Sequence, residues 1–173
     1  ELIRRGANPA RIPLLVTGAD ITGRPQGRYA IDLFGMNETD VESREPAIYQ
    51  HLFNNVLPVR QTLKRRAYRD NWWIFAEPRP AMRKALTGLD RVIVTSEVSK
   101  HPTFVFYDTR DTQFDGSLIV IASADALMLG YLSSFVHGVW KNGAGGRMGV
   151  GNDPRYQISR CFEPFPFPAD LSD

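Results

Sequence analysis

The residues best equipped for chemistry lie in two cationic stretches and a few polar turns. Toward the C-terminal end, the run Trp140-Lys-Asn-Gly-Ala-Gly-Gly-Arg147-Met-Gly-Val-Gly151-Asn-Asp-Pro-Arg155-Tyr156 carries five glycines within Gly143–Gly151. Lys141, Arg147, Arg155 and Arg160 have Asp153 alone as a nearby counter-charge in sequence. Backbone freedom, amide donors and cations together suit an oxyanion such as phosphate, although a solvated surface loop has the same composition. The second stretch is Val59-Arg60-Gln-Thr-Leu-Lys64-Arg65-Arg66-Ala-Tyr68-Arg69, five cations with no acid inside ten residues. In a helix, Arg65 and Arg69 would share a face, as would Gln61 and Arg65. Such a cluster suits phosphate contacts, which dominate nucleic-acid affinity, and equally a solvated helix face.

Other constellations fall short of a reaction. Gly143-Ala-Gly145-Gly-Arg-Met148 has Met where a dinucleotide loop needs its third Gly, and it follows a helical pattern rather than a strand. Glu97-Val-Ser-Lys100 spaces acid and lysine one residue too far for a Glu-x-Lys nuclease end. His51, His101 and His137 lack metal-ligand spacing and Cys161 has no CxxC partner, so structural histidines are expected and no metal site. Asn152-Asp-Pro-Arg-Tyr156 resembles the Asn-Pro-Pro-aromatic tetrapeptide of amino-methylating enzymes, but Asp153 and Arg155 interrupt it. A hydrolase built on Asp32 or Glu77 with a histidine lacks a nucleophile–base motif. No catalytic residue is assigned.

The elements that would hold these residues are short. Residues 1–28 predict an irregular arm, 29–168 the domain proper and 169–173 a tail. Tyr29–Phe34 alternates as a strand stopped by Gly35, Asn37 opens a helix with acids in its first turn, and Pro46 opens another. Trp72, Trp73 and Phe75 read as core rather than as a stacking surface, and residues 80–88 as a short helix between Pro and Gly. Arg91–Thr95, Thr103–Tyr107 and Ser117–Ala122 predict three strands, the last expected to be central, with Asp108–Gly116 a polar loop. Ser123 is expected to cap one amphipathic helix over residues 124–140, its stripe formed by Leu127, Met128, Tyr131, Leu132, Phe135, Val136, Val139 and Trp140. The fold class is α+β, a small mixed or largely antiparallel sheet packed by helices.

At 173 residues the chain suits one domain with a real core. A formal net charge of +2 means that any anion binding must come from clustering, and one cysteine precludes an internal disulfide. That cysteine usage points to a reducing, cytoplasmic setting. The ends read like those of a piece cut from a longer protein.

Taken in order, Tyr29–Gly35, Tyr68-Arg-Asp-Asn-Trp-Trp73, Glu77-Pro-Arg-Pro80 and Thr95–His101 resemble segments of MmeI-like DNA methyltransferases. Leu132-Ser-Ser134, His137, Trp140, Gly146-Arg147, Gly149–Tyr156 and Cys161-Phe-Glu-Pro-Phe-Pro-Phe-Pro168 continue the series. In that bacterial and archaeal family, the corresponding region is the target recognition domain beside an AdoMet-dependent adenine-N6 methyltransferase domain, in some members joined to a nuclease. The resemblance implies a double-stranded DNA partner, AdoMet in the upstream domain of the parent, and no catalysis by this stretch alone. By position it nominates Arg110, Gln113, Asn152 and Arg155 for bases. Lys100, His101 and Arg147 are nominated for phosphates, with Arg60, Lys64, Arg65 and Arg69 from the basic stretch. Arg suits guanine, and Asn or Gln suits adenine; a salt bridge from Arg155 to Asp153 is the alternative for that arginine. The rival function is a protein-interaction module of a phage-defence assembly, its basic strip taking an acidic partner.

Overall fold

Caps and prolines explain where most of the short elements begin. In the computed structural model, which describes residues 1–101, 103–148, 150 and 153–168, the first elements are β1 (Leu14–Val16), α1 (Gly18–Thr22), β2 (Arg28–Tyr29), α2 (Glu38–Arg44), α3 (Pro46–Asn55), α4 (Leu57–Gln61), α5 (Arg66–Asp70) and α6 (Pro80–Ala85). There follow β3 (Arg91–Ser96), β4 (Val105–Asp108), β5 (Thr112–Phe114), β6 (Leu118–Ile121), α7 (Ala126–Leu132), α8 (Phe135–Ala144), β7 (Gly146–Met148), β8 (Asp153–Arg155) and a π-helical turn, Ile158–Phe162. The class is α+β, with small sheets packed by helices. The chain forms two compact units: Glu1–Leu14 with Tyr29–Ala81, and Leu15–Arg28 with the residues from Met82 onward.

The first unit is helical around Ala7, Leu33, Val41, Ile48, Leu52 and Trp72. Asn37 caps α2 as its side chain accepts from the Asp40 amide at 2.8 Å, and Pro46 starts α3 where no amide donor is needed. Trp72 is buried, its ring 5.7 Å from that of Tyr49, and its indole N–H reaches Glu38 Oε1 at 3.2 Å. Trp73 donates to the Met36 carbonyl at 2.9 Å. The polar tips are thereby satisfied, which lets these rings serve as core. The strand expected at Tyr29–Phe34 is only Arg28–Tyr29. Asp32 accepts the Phe34 amide at 3.2 Å and Gly35 follows at φ +82°, which turns the chain early.

Residues 1–28 are not the irregular arm expected. Ala7 enters the first core, the Asn8 amide donates to buried Glu45, and Val16, Thr17 and Gly18 are buried in the second unit. Thr17 and Asp20 form a capping box at α1. A Cβ on Gly18 would lie 2.7 Å from Ser96 Oγ, so glycine allows α1 its approach to β3.

The second unit is built on β3, which pairs antiparallel with β4 (Arg91↔Asp108) and with β6 (Ile93↔Ile121). The central strand is therefore β3, not the apolar β6. Val92, Ile93, Val94, Thr95 and Ser96 are all buried, as a strand paired on both sides requires. Each such aliphatic burial is worth about 1.5–3 kcal/mol. Helices α7 and α8 replace the single helix expected over 124–140. Ser134 is the reason: its hydroxyl accepts the His137 amide at 3.2 Å and starts a new helix, while Asp125, not Ser123, caps α7. The new helix axis also changes which side chains are inside. His137 is fully buried, whereas Phe135, Val136 and Val139 are exposed.

Candidate nucleic-acid interface

The described residues on either side of the glycine-rich run's end pair as the two strands of a β-hairpin. β7 and β8 pair antiparallel, Gly146 opposite Arg155 and Met148 opposite Asp153. Gly145 leads into it where a Cβ would lie 2.6 Å from the Lys141 carbonyl and 2.9 Å from that of Arg155, so its glycine serves close backbone approach. The hairpin root is fastened to the residues that follow β3. Val98 bridges to Arg155, the Ser99 amide donates to the Pro154 carbonyl at 3.2 Å, and the Tyr156 amide donates to the Glu97 carbonyl at 2.8 Å. The Arg155 guanidinium closes on Glu97 Oε1 through Nε at 2.9 Å and Nη2 at 2.6 Å. Glu97, and not Asp153, is thus the ion-pair partner of Arg155.

Below the root, Tyr156 is buried with its hydroxyl 3.2 Å from His137 Nε2, and His137 Nδ1 is 2.8 Å from the Leu132 carbonyl. That geometry assigns the proton to Nδ1, leaving Nε2 to accept from Tyr156. Burial pulls the His137 pKa below its ordinary value, with Lys141 adding to the effect. Burial likewise raises that of Tyr156, with Cys161 contributing. Both groups are neutral scaffolding. His137 is the structural histidine expected, while His51 and His101 are exposed.

Lys100 and His101 meet Phe135, Gly138, Val139, Lys141 and Asn142 around a pocket of about 330 Å³. No carboxylate lines it. Burial lowers the Lys141 pKa. Arg147 lies exposed on β7, opposite Pro154. Lys100, His101 and Arg147, which the sequence nominates for phosphates, therefore all belong to the second unit.

Arg110 and Gln113 share a different pocket of about 350 Å³, lined also by Arg83, Thr109 and Thr112. The polar loop expected there is a tight turn into β5, with Asp111 at φ 53°. Arg110 is clasped by Asp108 at 2.6 Å, which lowers the pKa of Asp108 and raises that of Arg110. Gln113 accepts from Arg83 at 3.1 Å. Asn152 lies outside the described residues.

The basic stretch belongs to the first unit and is not one helix. It breaks between α4 and α5, so Arg65 and Arg69 do not form the cationic stripe a single helix would give. Arg69 donates to the Leu63 and Lys64 carbonyls at 2.6 and 3.0 Å, Arg60 to the Ile74 carbonyl at 3.2 Å, and Arg65 to the Tyr68 hydroxyl at 2.7 Å. The Arg60 and Arg65 guanidinium carbons lie 5.5 and 5.3 Å from the centre of the Tyr68 ring. Lys64 is exposed. Much of the cluster's hydrogen bonding thus closes its own turn.

Two features escaped the sequence reading. One is a hydroxyl-rich pocket of about 470 Å³ lined by Thr17, Thr22, Arg28, Ser96, Glu97 and Ser117, among others. Its residues come from distant stretches and carry no joint signal. The other is the exposed face of α8, hidden by periodicity that counts Phe135 and Val139 as core. Among the described residues, no group of three His, Cys, Asp or Glu side chains is placed to hold a metal ion, and no helix is long and apolar enough to cross a membrane. Comparison with family models, with curated proteins and with solved structures gave no match to this chain.

Proposed function

We propose that this chain is a sequence-reading module for double-stranded DNA, acting beside an adenine-N6 methyltransferase domain that carries the AdoMet and the catalytic residues. The observation that supports it most is the β7–β8 hairpin, a two-stranded ribbon with exposed Arg147, fastened at its root by Glu97, Val98 and Ser99. A two-stranded ribbon fits the major groove. A rigid root holds its register, as base readout needs. Lys100 and His101, in the same unit, supply the kind of group that holds phosphates. Arg155 acts here as the fastener through Glu97, and the reading side chains come from the rest of the hairpin and from the Arg110–Gln113 turn, where the Arg110–Asp108 pair is far more exposed (74% and 48%, against 38% and 26% for Arg155 and Glu97) and so is readily exchanged for a base. Methylation of an adenine inside a duplex needs the base extruded; the module's part is to hold the duplex in register while the catalytic domain receives it.

The test is selection of duplexes from a random-sequence pool by the purified chain, followed by binding across a salt series. One short motif should emerge, and affinity should fall steeply with salt. Lys100→Ala or Arg147→Ala should flatten the log–log salt slope by about 0.9 for each phosphate no longer neutralised. A pool that stays random, with salt-insensitive binding, refutes DNA reading and favours a protein partner. The methyltransferase association is tested by mapping adenine methylation in cells carrying the full gene with and without Arg147→Ala. Absence of adenine methylation with the unaltered gene would refute that association, and a changed motif, rather than a weaker one, in Arg147→Ala would move that residue from phosphate holding to base reading.

A further inference from the structure

We infer that Phe135 is an apolar wedge that enters a base step of the bound duplex, flanked by Lys100 and His101; this rests on the duplex-DNA reading above. Phe135 is 86% exposed, and Val136 and Val139 beside it are 68% and 56% exposed. Leaving such a ring in water forgoes the gain from burying it, and contiguous exposed apolar groups mark contact surfaces. The ring does not sit on a yielding loop. It is the first residue of α8, fixed by the Ser134 cap before it and by buried His137 after it. Phe135 and Val139, four residues apart, share a helix face, and both line the pocket that Lys100 and His101 enter.

That mixture says what covers the face. A purely apolar partner would leave Lys100 and His101 against an uncharged surface, and the lining offers no carboxylate to a basic one. A duplex supplies phosphates for the Lys100 ammonium and for an N–H of the His101 ring and, once a step is unstacked, base faces for the ring of Phe135. Inserted apolar side chains kink a duplex by about 20–90° and sacrifice stacking at the step they enter. An unstacked step beside the hairpin would make the site's deformability part of what is recognised.

The test uses the duplex selected above, carrying 2-aminopurine at successive positions, with the chain at saturation and no catalytic domain present. The wild-type chain should raise the fluorescence at one step. Phe135→Ala should abolish the rise and weaken binding by about tenfold or less, while Phe135→Leu should keep most of it. Lys100→Ala should weaken binding yet retain the rise at saturation. Equal binding by wild type and Phe135→Ala, with no step-specific rise, overturns the wedge and leaves duplex recognition standing. Absence of salt-dependent duplex binding by the wild-type chain overturns both. Capture of an acidic amphipathic peptide that Phe135→Ala loses, without duplex binding, would assign the face to a protein.

Discussion

His137→Phe should destabilise the second unit well beyond what its ring volume implies. The imidazole sits among Phe104, Tyr156 and Phe165, with ring centres 5.4, 5.7 and 4.7 Å away, and phenylalanine keeps most of that packing. What disappears is the Nδ1 proton given to the Leu132 carbonyl and the Nε2 lone pair offered to the Tyr156 hydroxyl. Each buried partner left unsatisfied costs about 1–3 kcal/mol, so the pair should cost about 2–6 kcal/mol. Tyr156→Phe should cost about 1–2 kcal/mol, and the double variant less than the sum by about 1 kcal/mol, because no hydroxyl is then orphaned. The pH dependence supplies an independent readout. Burial holds folded His137 below its ordinary value of 6.5, so the unfolded chain takes up this proton first as pH falls. This group's contribution therefore declines below about pH 6.5, with a slope of at most about 1.4 kcal/mol per pH unit, and His137→Phe should remove that slope. Pulsed hydrogen exchange of the β3 peptide along a urea series, near pH 7.5 and near pH 5.5, measures both quantities. Strictly additive single effects, or an unchanged slope in His137→Phe, would refute the assigned tautomer and the role of the pair.

Asp20 should behave in the opposite pH range. Its carboxylate accepts from the Thr17 hydroxyl at 2.7 Å, from the Gln26 amide and from the Thr17 amide, which with Arg28 nearby hold its pKa down at about 2 rather than 3.8. That displacement is worth at most about 2.5 kcal/mol, reduced by solvent to about 1–2, present above about pH 4 and lost as pH falls through about 2. Asp20→Asn should therefore lower the unfolding midpoint near neutrality and not near pH 2. Glu97→Gln removes the charge that holds Arg155, a partly exposed pair worth about 0.5–1 kcal/mol. Faster amide exchange in β7 and β8, with β3 unchanged, is the expected result; unchanged hairpin exchange would make the pair dispensable as a fastener.

The secondary structure was legible where local chemistry decides it. Asn37, Pro46 and the β-branched run Val92–Thr95 announce a cap, a helix start and a strand without help from the rest of the chain. Strand order was not. β6 is the more continuous apolar run, yet β3 is central, because the order follows from pairing on two edges that no local pattern records. The division near residue 134 failed for a related reason. Ser133 and Ser134 read as polar positions on one long helix, whereas the Ser134 hydroxyl is a better cap than a helical side chain and starts α8 afresh.

That restart decides how much of the candidate site could be read. A periodicity carried unbroken from Leu127 to Trp140 places Phe135, Val136 and Val139 inside and His137 outside; the cap at Ser134 reverses both. The face it exposes is the one that joins Lys100 and His101, two residues the sequence nominated without any means of seeing their apolar neighbours. Arg155 shows the converse. The family resemblance nominates it, by position, as a reading side chain, but Glu97, far away in sequence, claims its guanidinium, and the same ion pair gives the hairpin a fixed root. Groups that fasten and groups that read are chemically alike in a cationic loop. How far a carboxylate partner is withdrawn from water tells them apart, as Glu97 is and Asp108 beside Arg110 is not, and that is decided only when the sheet has formed.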